Sequence, residues 1–502
     1  MAKFYVGITI GPIFDTINEA SSPAALWFAS NLFSDLTKRL CEAILNEPEF
    51  EEVNIYSPYY ELQKEQEKWD GVGKYHDRII FSVSTESVIS EKLAAIVDCC
   101  KENTAELFPP FIVNIAGAKT FLKDYLQIHF VVKPAEEIEK AEENSILLLS
   151  PYLDALELMK TFPQDDAANP LTKLFAGKEN SKNLYIKESP LFARVDQENN
   201  CMTVDVSGEK SIRTIEDIAS YGSNPSAKLK KDHYYAVVTA DGDSMGKFLE
   251  QISDDQVTQF SKMCLDYDKA AAKLVAAYGG MTIYAGGDDL LFLAPVKTAE
   301  KDIFALCKEI HDLFEEKIRS FADFGEKEIP TISFGVSVQY EKYPLYEAMA
   351  NARECLGQAK SGDKNALCVN LQKHSGQSLQ FVISNTVYED VLKKILKIEK
   401  NEGEIADDEM IHSVLYTLNM FAPSIRVLDN AVRKSGLTVD AYKAAWKNFF
   451  DNAGQKKAAV YVEKICELYY EKMVKDETGS LQLLTSLLRL KHFLVEKEGD
   501  RA

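Results

Sequence analysis

Apolar residues recur along this chain with two periods, and the switches between them mark out its elements. Phe4 to Ile10 is a run of strand-forming residues that breaks at Gly11-Pro12. From about Ser22 the positions Leu26, Phe28, Leu32, Phe33, Leu36 and Leu40 make a broad stripe at helical spacing. Strand runs return at 53–58, 78–84 and 126–132, with a helical stretch from about Glu86 to Lys101 before the last. The order β-α-β-β-α-β predicts a ferredoxin-like unit over residues 1–144.

Past Pro134 the pattern loosens. "PAEEIEKAEEN" reads as a solvated acidic stretch and "FPQDDAANPLTKLFAGKENSKN" as loop with short helix, so 145–230 is expected to be a connecting module. At Tyr234 order returns: "YYAVVTA" is a strand, and "GKFLEQI" and "QFSKMCLDYDKAAAKLVAAYGG" are helical, the second closed by Gly279-Gly280. "MTIYA" and "LLFLAPV" are strands on either side of Gly286-Gly287-Asp288-Asp289. A helix from about Ala299 to Phe321, the strand "TISFGVSVQ", the helix "PLYEAMANARECLGQAKS" and the strand "ALCVNL" complete a second unit over 231–372.

The two units compare directly. "FYVGITIGP" lies over "YYAVVTADG" without a gap, which places Gly11 where Asp241 stands. This weak internal repeat suggests two copies of one fold, with the carboxylates in the second copy alone. From 373 to 502 the apolar spacing is helical almost throughout, and an all-helical C-terminal domain is expected. The fold class is α+β.

Composition narrows the function. A chain of 502 residues exceeds one ordinary core, so several domains are expected. A net charge of −21 argues against a grip on bare nucleic acid by this chain itself, although basic partner subunits would change that. The nine cysteines are scattered and form no CxxC pair, which speaks against a disulfide framework or zinc ribbon and for a reduced cytoplasm. The N-terminus has no signal-peptide pattern, and no run of about 18 apolar residues predicts a membrane span.

The chemistry concentrates at two strand ends. Gly286 and Gly287 would tolerate positive φ in a four-residue hairpin and leave room above the backbone, with Asp288 and Asp289 on the returning strand. The first strand of the unit ends in Asp241, Gly242 and Asp243, and in a ferredoxin-like sheet it neighbours the hairpin. Asp241, Asp288 and Asp289 would then repel one another unless a cation sits among them, and hard oxygen ligands suit Mg²⁺ or Mn²⁺. Two such ions about 3.5–4 Å apart activate an attacking hydroxyl and stabilise a leaving pyrophosphate. Ser244 opens a helix whose free N–H groups would face a triphosphate, and Gly242, Asp243 and Ser244 are expected at the nucleotide.

Plainer readings stand beside these. GGDD alone is a polar turn and DGD alone a turn or helix cap; their joint placement at two core strand ends favours the metal site. Lys360 and Lys364 either reach phosphates or sit in a solvated loop. His76-Asp77 and His311-Asp312 have no further ligand at metal spacing, and Cys201 has no partner cysteine, so structural or surface roles are expected for all of them.

"VTADGDSMGKFL", "YAGGDDLLFLAP" and "SFGVSVQYEKYPLYEAMANARECLGQAKSGDKNALCV" resemble the second palm domain of the large subunit of type III CRISPR effector complexes, the CRISPR polymerase family. "GITIGPIFDTINEASSPAALWFASNLFSDL" and "GVGKYHDRIIFSV" are similar to the first palm of its Cmr-type branch. The resemblance implies two ferredoxin-like palms that bind ATP between them and join it into cyclic oligoadenylates with 3′–5′ linkages. It implies Asp288 and Asp289 as GGDD metal ligands, Asp241 as the first-strand acid, and room for nucleotide at Gly286 and Gly287. It implies partner subunits, a guide RNA and a matching target RNA that switches synthesis on. Many members open with an HD nuclease domain and carry a cysteine zinc site between the palms. This sequence opens on the first palm and has one cysteine in 145–230, so neither feature is expected. Diguanylate cyclases share the fold but carry GGDEF, and the Asp289-Leu290 pair here fits them less well. A scaffold subunit with vestigial cyclase activity and a palm cyclase working without guide RNA are the other readings.

Overall fold

The computed structural model describes residues 1–60, 69–112, 115–139, 143–163, 169–175, 184–196, 202–206, 209–223, 230–321, 329–401, 404–405, 408–450, 458–475, 477 and 479–495. Cys201 and much of the 162–183 stretch lie outside them. The first unit is a sheet of β1 (Ala2–Gly11), β2 (Glu51–Ser57), β3 (Arg78–Thr85) and β4 (Gln127–Pro134) in the order β2-β3-β1-β4. All three pairings are antiparallel, as the β-α-β-β-α-β order predicts. The helix Pro23–Leu45 starts where expected, with the Ser22 side chain accepting from the Ala25 amide and proline at its first position. Its stripe, from Leu26 to Ile44, is fully buried.

In the connecting module the described residues include a helix at Ser145–Glu157 and a small hairpin of β5 (Thr203–Val206) and β6 (Glu209–Ile212). The second sheet contains β7 (Tyr234–Asp243), β8 (Met281–Gly286), β9 (Asp289–Pro295), β10 (Thr331–Tyr340), β11 (Ala366–Gln372) and β12 (Ser378–Ser384). Their order is β12-β11-β10-β7-β9-β8, so β7 lies inside the sheet, between β10 and the hairpin strand β9. β12 departs from the helical reading of everything past 373. Leu379, Phe381 and Ile383 are buried while Ser378, Gln380 and Val382 are exposed, a period of two that makes it an edge strand paired to β11. Helices follow it, among them Asp408–Met420, Ala422–Ser435, Val439–Phe449, Ala459–Tyr469 and Leu481–Val495.

β7 is buried on both faces, and its two faces serve different cores. Ala236, Val238 and Ala240 pack with the C-terminal helices and the helix Asp254–Tyr278. Tyr235 and Val237 belong to a core that also holds the first unit's Leu32, Phe33 and Val6. Asp241 has the parity of Tyr235 and Val237, the side shared with the first unit. The units also join through backbone: Ala285 N, immediately before the GGDD motif, donates to Gly73 O at 2.9 Å. The described cysteines are free thiols, and no described helix is long and apolar enough to cross a membrane.

Candidate active site

The GGDD turn is tighter than expected. Gly286 pairs with Asp289, so Gly287 and Asp288 alone form the turn. Gly287 has φ 77° and Asp288 is not among the positive-φ residues, the pattern of a type II′ hairpin with glycine at its first central position. Asp289 begins β9, and the β7–β9 register (Ala240 opposite Leu290) continues to bring Asp241 opposite Asp289.

Asp241, Asp288 and Asp289 share this strand end, as the sequence predicts. Burial and the Asp241 charge push Asp288 up to about 6, against the pull of Lys360 and of the Gly242 and Asp288 amides. Burial, then the charges of Asp288 and Asp241, pushes Asp289 up as well. Tyr284, beside Asp289, opposes that rise. Gly242 is sterically required here. A Cβ on it would meet Asp288 Oδ2 at 2.5 Å and Asp288 Cβ at 2.8 Å.

Lys360, expected at phosphates or in a solvated loop, supplies a counter-charge to the acids. It forms an ion pair with Asp241 and donates to Gly242 O at 2.8 Å. The helix Leu345–Ser361 carries it there because Gly335 on β10 has no side chain: a Cβ would lie 2.1 Å from Ala352 O. Lys364, with φ 61°, donates to Ser244 Oγ at 3.3 Å, and Ser244 itself has φ 61°. The helix that Ser244 opens is only Met245–Leu249, a single turn with a correspondingly weak dipole.

Asp243 is placed differently from its expected role at the nucleotide. Its carboxyl is buried, accepts from Thr331 Oγ1 (2.8 Å), Ser333 Oγ (2.8 Å) and the Asn365 amide (3.0 Å), and so ties β7 to β10 and the start of β11. His311 is buried and bonded to Asn365 Oδ1 (2.8 Å) and Asp312 Oδ1 (3.1 Å), in line with a structural role.

Asp268, which is not among the residues expected at the site, and His76 complete the surroundings of the turn. Asp268, on the helix Asp254–Tyr278, is 1% exposed and accepts from the Gly287 amide at 3.1 Å, while its Oδ1 has no hydrogen-bond partner. Burial raises its pKa well above the ordinary value, with Lys74 opposing. His76 lies over the glycines, its Cβ 3.7 Å from where a Cβ on Gly286 would stand. Its Nε2 is 2.9 Å from Ser57 Oγ, its Nδ1 accepts from the Arg78 amide, and burial lowers its pKa to about 4, so the ring is neutral. The β1–β3 pairing extends through Ile10 N to Asp77 O (2.9 Å), which brings Gly11 opposite His76. Gly11 and His76 thus occupy in the first unit the positions of Asp241 and Asp289, and a neutral ring replaces the acid.

Two cavities flank the hairpin. One, of about 560 Å³, is bounded by Gly11, Phe14 and His76 of the first unit and Tyr284, Asp289 and Arg353 of the second. The other, of about 340 Å³, is bounded by Lys74, His76, Cys264, Asp268, Asp288 and Asp289. Both volumes lie in the range of small-molecule sites. His76 and Asp77, expected to be structural or at the surface, stand in the wall shared by the two.

A duplicated ferredoxin-like unit with carboxylates at one hairpin defines a palm protein. Residues 234–368 match the family model of the Cas10/Cmr2 second palm domain. The Cmr2 subunit of the CRISPR Cmr system of Pyrococcus furiosus is 26% identical over 201 residues, covering 33% of this chain and 22% of that protein. The chain thus spans about a fifth of the length of the curated relative it matches. Among solved structures, the Csm1–Csm4 cassette in complex with AMPPNP aligns with TM-score 0.55 at 13% identity, covering 97% of this chain and 70% of that one. The cassette in complex with cA4 aligns with TM-score 0.54 at 13% identity, covering 99% and 70%. At such identity the structural likeness speaks for the fold. Residues 234–368 are thus similar to the second palm domain of Cas10/Cmr2 proteins.

Proposed function

We propose that this chain is a Mg²⁺-dependent nucleotidyltransferase that converts ATP to cyclic oligoadenylates as the large subunit of a type III CRISPR complex. The observation that carries the reading is the acid set at the hairpin: Asp288, pushed up by burial and the Asp241 charge, and Asp289, pushed up by burial and the charges of Asp288 and Asp241. Buried like charges of this kind fit a hard divalent cation, with Asp241, Asp288 and Asp289 as its oxygen ligands. Among the described residues only His311, Asp312 and Glu315 have ligand atoms all within 4.8 Å of one another. Lys360 pairs with Asp241 and would release it when an ion binds.

In the proposed reaction a ribose 3′-hydroxyl oxygen bonds to the α-phosphorus of a second ATP, the α–β anhydride bond breaks, pyrophosphate leaves, and the hydroxyl proton passes to solvent. Bound Mg²⁺ would supply the charge that activates the hydroxyl and stabilises the pyrophosphate. Lys360 and Lys364 would turn to the triphosphate of the nucleotide under attack. Asp268 accepts from the Gly287 amide, so the turn keeps its shape as nucleotide enters. His76, neutral and bonded at both nitrogens, orients the turn rather than moving protons. The cavities on either side of the hairpin provide room for two nucleotides at once. The solved Csm1–Csm4 cassettes with ATP, cA3 and cA4 support this reading by analogy of fold. The proposed partners are the other subunits of the complex, with guide and target RNA held through them.

The test is incubation of the chain, alone and assembled with partner subunits and matched target RNA, with each nucleoside triphosphate and Mg²⁺. Mass spectrometry should show cyclic adenylate products from ATP. Assembly without any ATP consumption would point to a scaffold, and full synthesis by the isolated chain to a palm cyclase that needs no RNA.

A further inference from the structure

Joining two nucleotides requires both to be bound together. One presents its α-phosphate to the carboxylates, with Lys360 and Lys364 close by. The other presents its 3′-hydroxyl, and its own triphosphate must lie away from the hairpin. That group carries roughly four negative charges and needs a cation in a chain whose net charge is −21.

The wall of the larger cavity offers Lys160 and Arg353. Lys160 is engaged with Asp15 at 3.5 Å. Arg353, on the helix Leu345–Ser361, makes no ion pair with any described residue. Its Nη2 donates to Asn18 Oδ1 at 2.8 Å, its Nε to Met349 O at 3.3 Å, and its guanidinium lies 4.4 Å from the Phe14 ring centroid. Partial burial without a carboxylate is costly for a guanidinium, and burial is the one influence on its pKa, which it lowers. The remaining donors of the planar fork suit phosphate oxygens. The cavity's Glu157 is already held by Arg78 at 2.7 Å, which limits the repulsion an entering anion meets.

We propose that Arg353 is the phosphate ligand of the larger cavity, binding the triphosphate of the nucleotide that supplies the attacking 3′-hydroxyl, with Phe14 of the first palm holding the guanidinium in place. This rests on the synthase reading above. It gives the first palm a part in the site: it helps to form the seat for the second nucleotide and orients the arginine that fills it.

Calorimetric titration of the full chain, assembled with partners and matched RNA, with AMPPNP and Mg²⁺ tests it. Wild type should bind two equivalents. Arg353→Gln should weaken one of them by about tenfold or more and leave the other unchanged, with Arg353→Lys in between. Phe14→Ala, a change at an exposed ring, should weaken the same equivalent and serves if Arg353→Gln does not fold. Wild-type affinity at both equivalents in the variants, or a single equivalent in wild type, overturns the inference and leaves the synthase reading standing. No binding of AMPPNP by wild type overturns the synthase reading itself.

Discussion

The Gly287 amide donates to the buried carboxyl of Asp268 at 3.1 Å, and this bond ties the first turn residue of the hairpin to the helix beneath it. The two lie 19 positions apart in the chain. The other oxygen of Asp268 is buried without a partner, and burial with nearby acids favours its protonated form. Asp268→Asn keeps an acceptor for Gly287 and should retain most activity. Asp268→Ala leaves a buried amide unpaired, with an expected cost of about 1–3 kcal/mol and a loosened turn. Chemical denaturation and ATP turnover of the two variants check this; equal loss in both would show that the acceptor is not what matters.

Gly242 and Gly335 should respond differently to alanine. At Gly242 the new Cβ meets the Asp288 side chain at 2.5 Å, so the protein should fold while the acid is displaced and synthesis falls. At Gly335 the Cβ meets Ala352 O at 2.1 Å and the Leu356 amide nitrogen at 2.4 Å, so the helix carrying Lys360 cannot seat and soluble yield should collapse. Thermal melts together with product assays separate the two outcomes.

Much of this site was legible because it is local. The acids end strands whose apolar runs are unmistakable, and the repeat of "FYVGITIGP" over "YYAVVTADG" marks two related units. The residues that support the acids come from elsewhere in the chain. Asp268 carried a signal, since it is an acid on the apolar face of Cys264, Tyr267 and Ala271, but its partner is a backbone amide without a signature. His76 and Arg353 gain meaning only when two units meet, which residue spacing does not encode. The edge strand Ser378–Ser384 alternates in its own pattern, yet its seven residues are outweighed by the helices that follow.

Lys360 stands in for a cation at Asp241, and removing it should matter most when no metal is present. Both side chains are partly exposed, so Lys360→Ala should cost about 1–2 kcal/mol without metal, between the surface and buried cases. Saturating Mg²⁺ should narrow the gap to wild type. A gap that is the same with and without Mg²⁺ would show that lysine and ion do not share Asp241.

Protons should compete with metal. Asp288 at about 6, with Asp289 and Asp268 also raised, are acids whose folded pKa exceeds the unfolded one. The metal-free folded protein therefore holds more protons than the unfolded chain from about pH 4 upward, and these groups make stability fall as pH rises through that window. For Asp288 the fall ends near pH 6, and Asp289 and Asp268 act in the same direction. Between pH 5 and 7.5, Asp288→Asn should flatten the decline in metal-free melting temperature, and Mg²⁺ should stabilise wild type more at pH 7.5 than at pH 5.5. Equal Mg²⁺ stabilisation at both would contradict the assignment.

The most direct test replaces Asp288 and Asp289 together by alanine in the assembled complex and measures products from ATP by mass spectrometry. Partners holding second-sphere positions alone are worth about 10–100-fold, so loss of two ligands should reduce cyclic oligoadenylate by more than about 100-fold with assembly intact. Undiminished synthesis by the double variant would place the chemistry away from the GGDD hairpin.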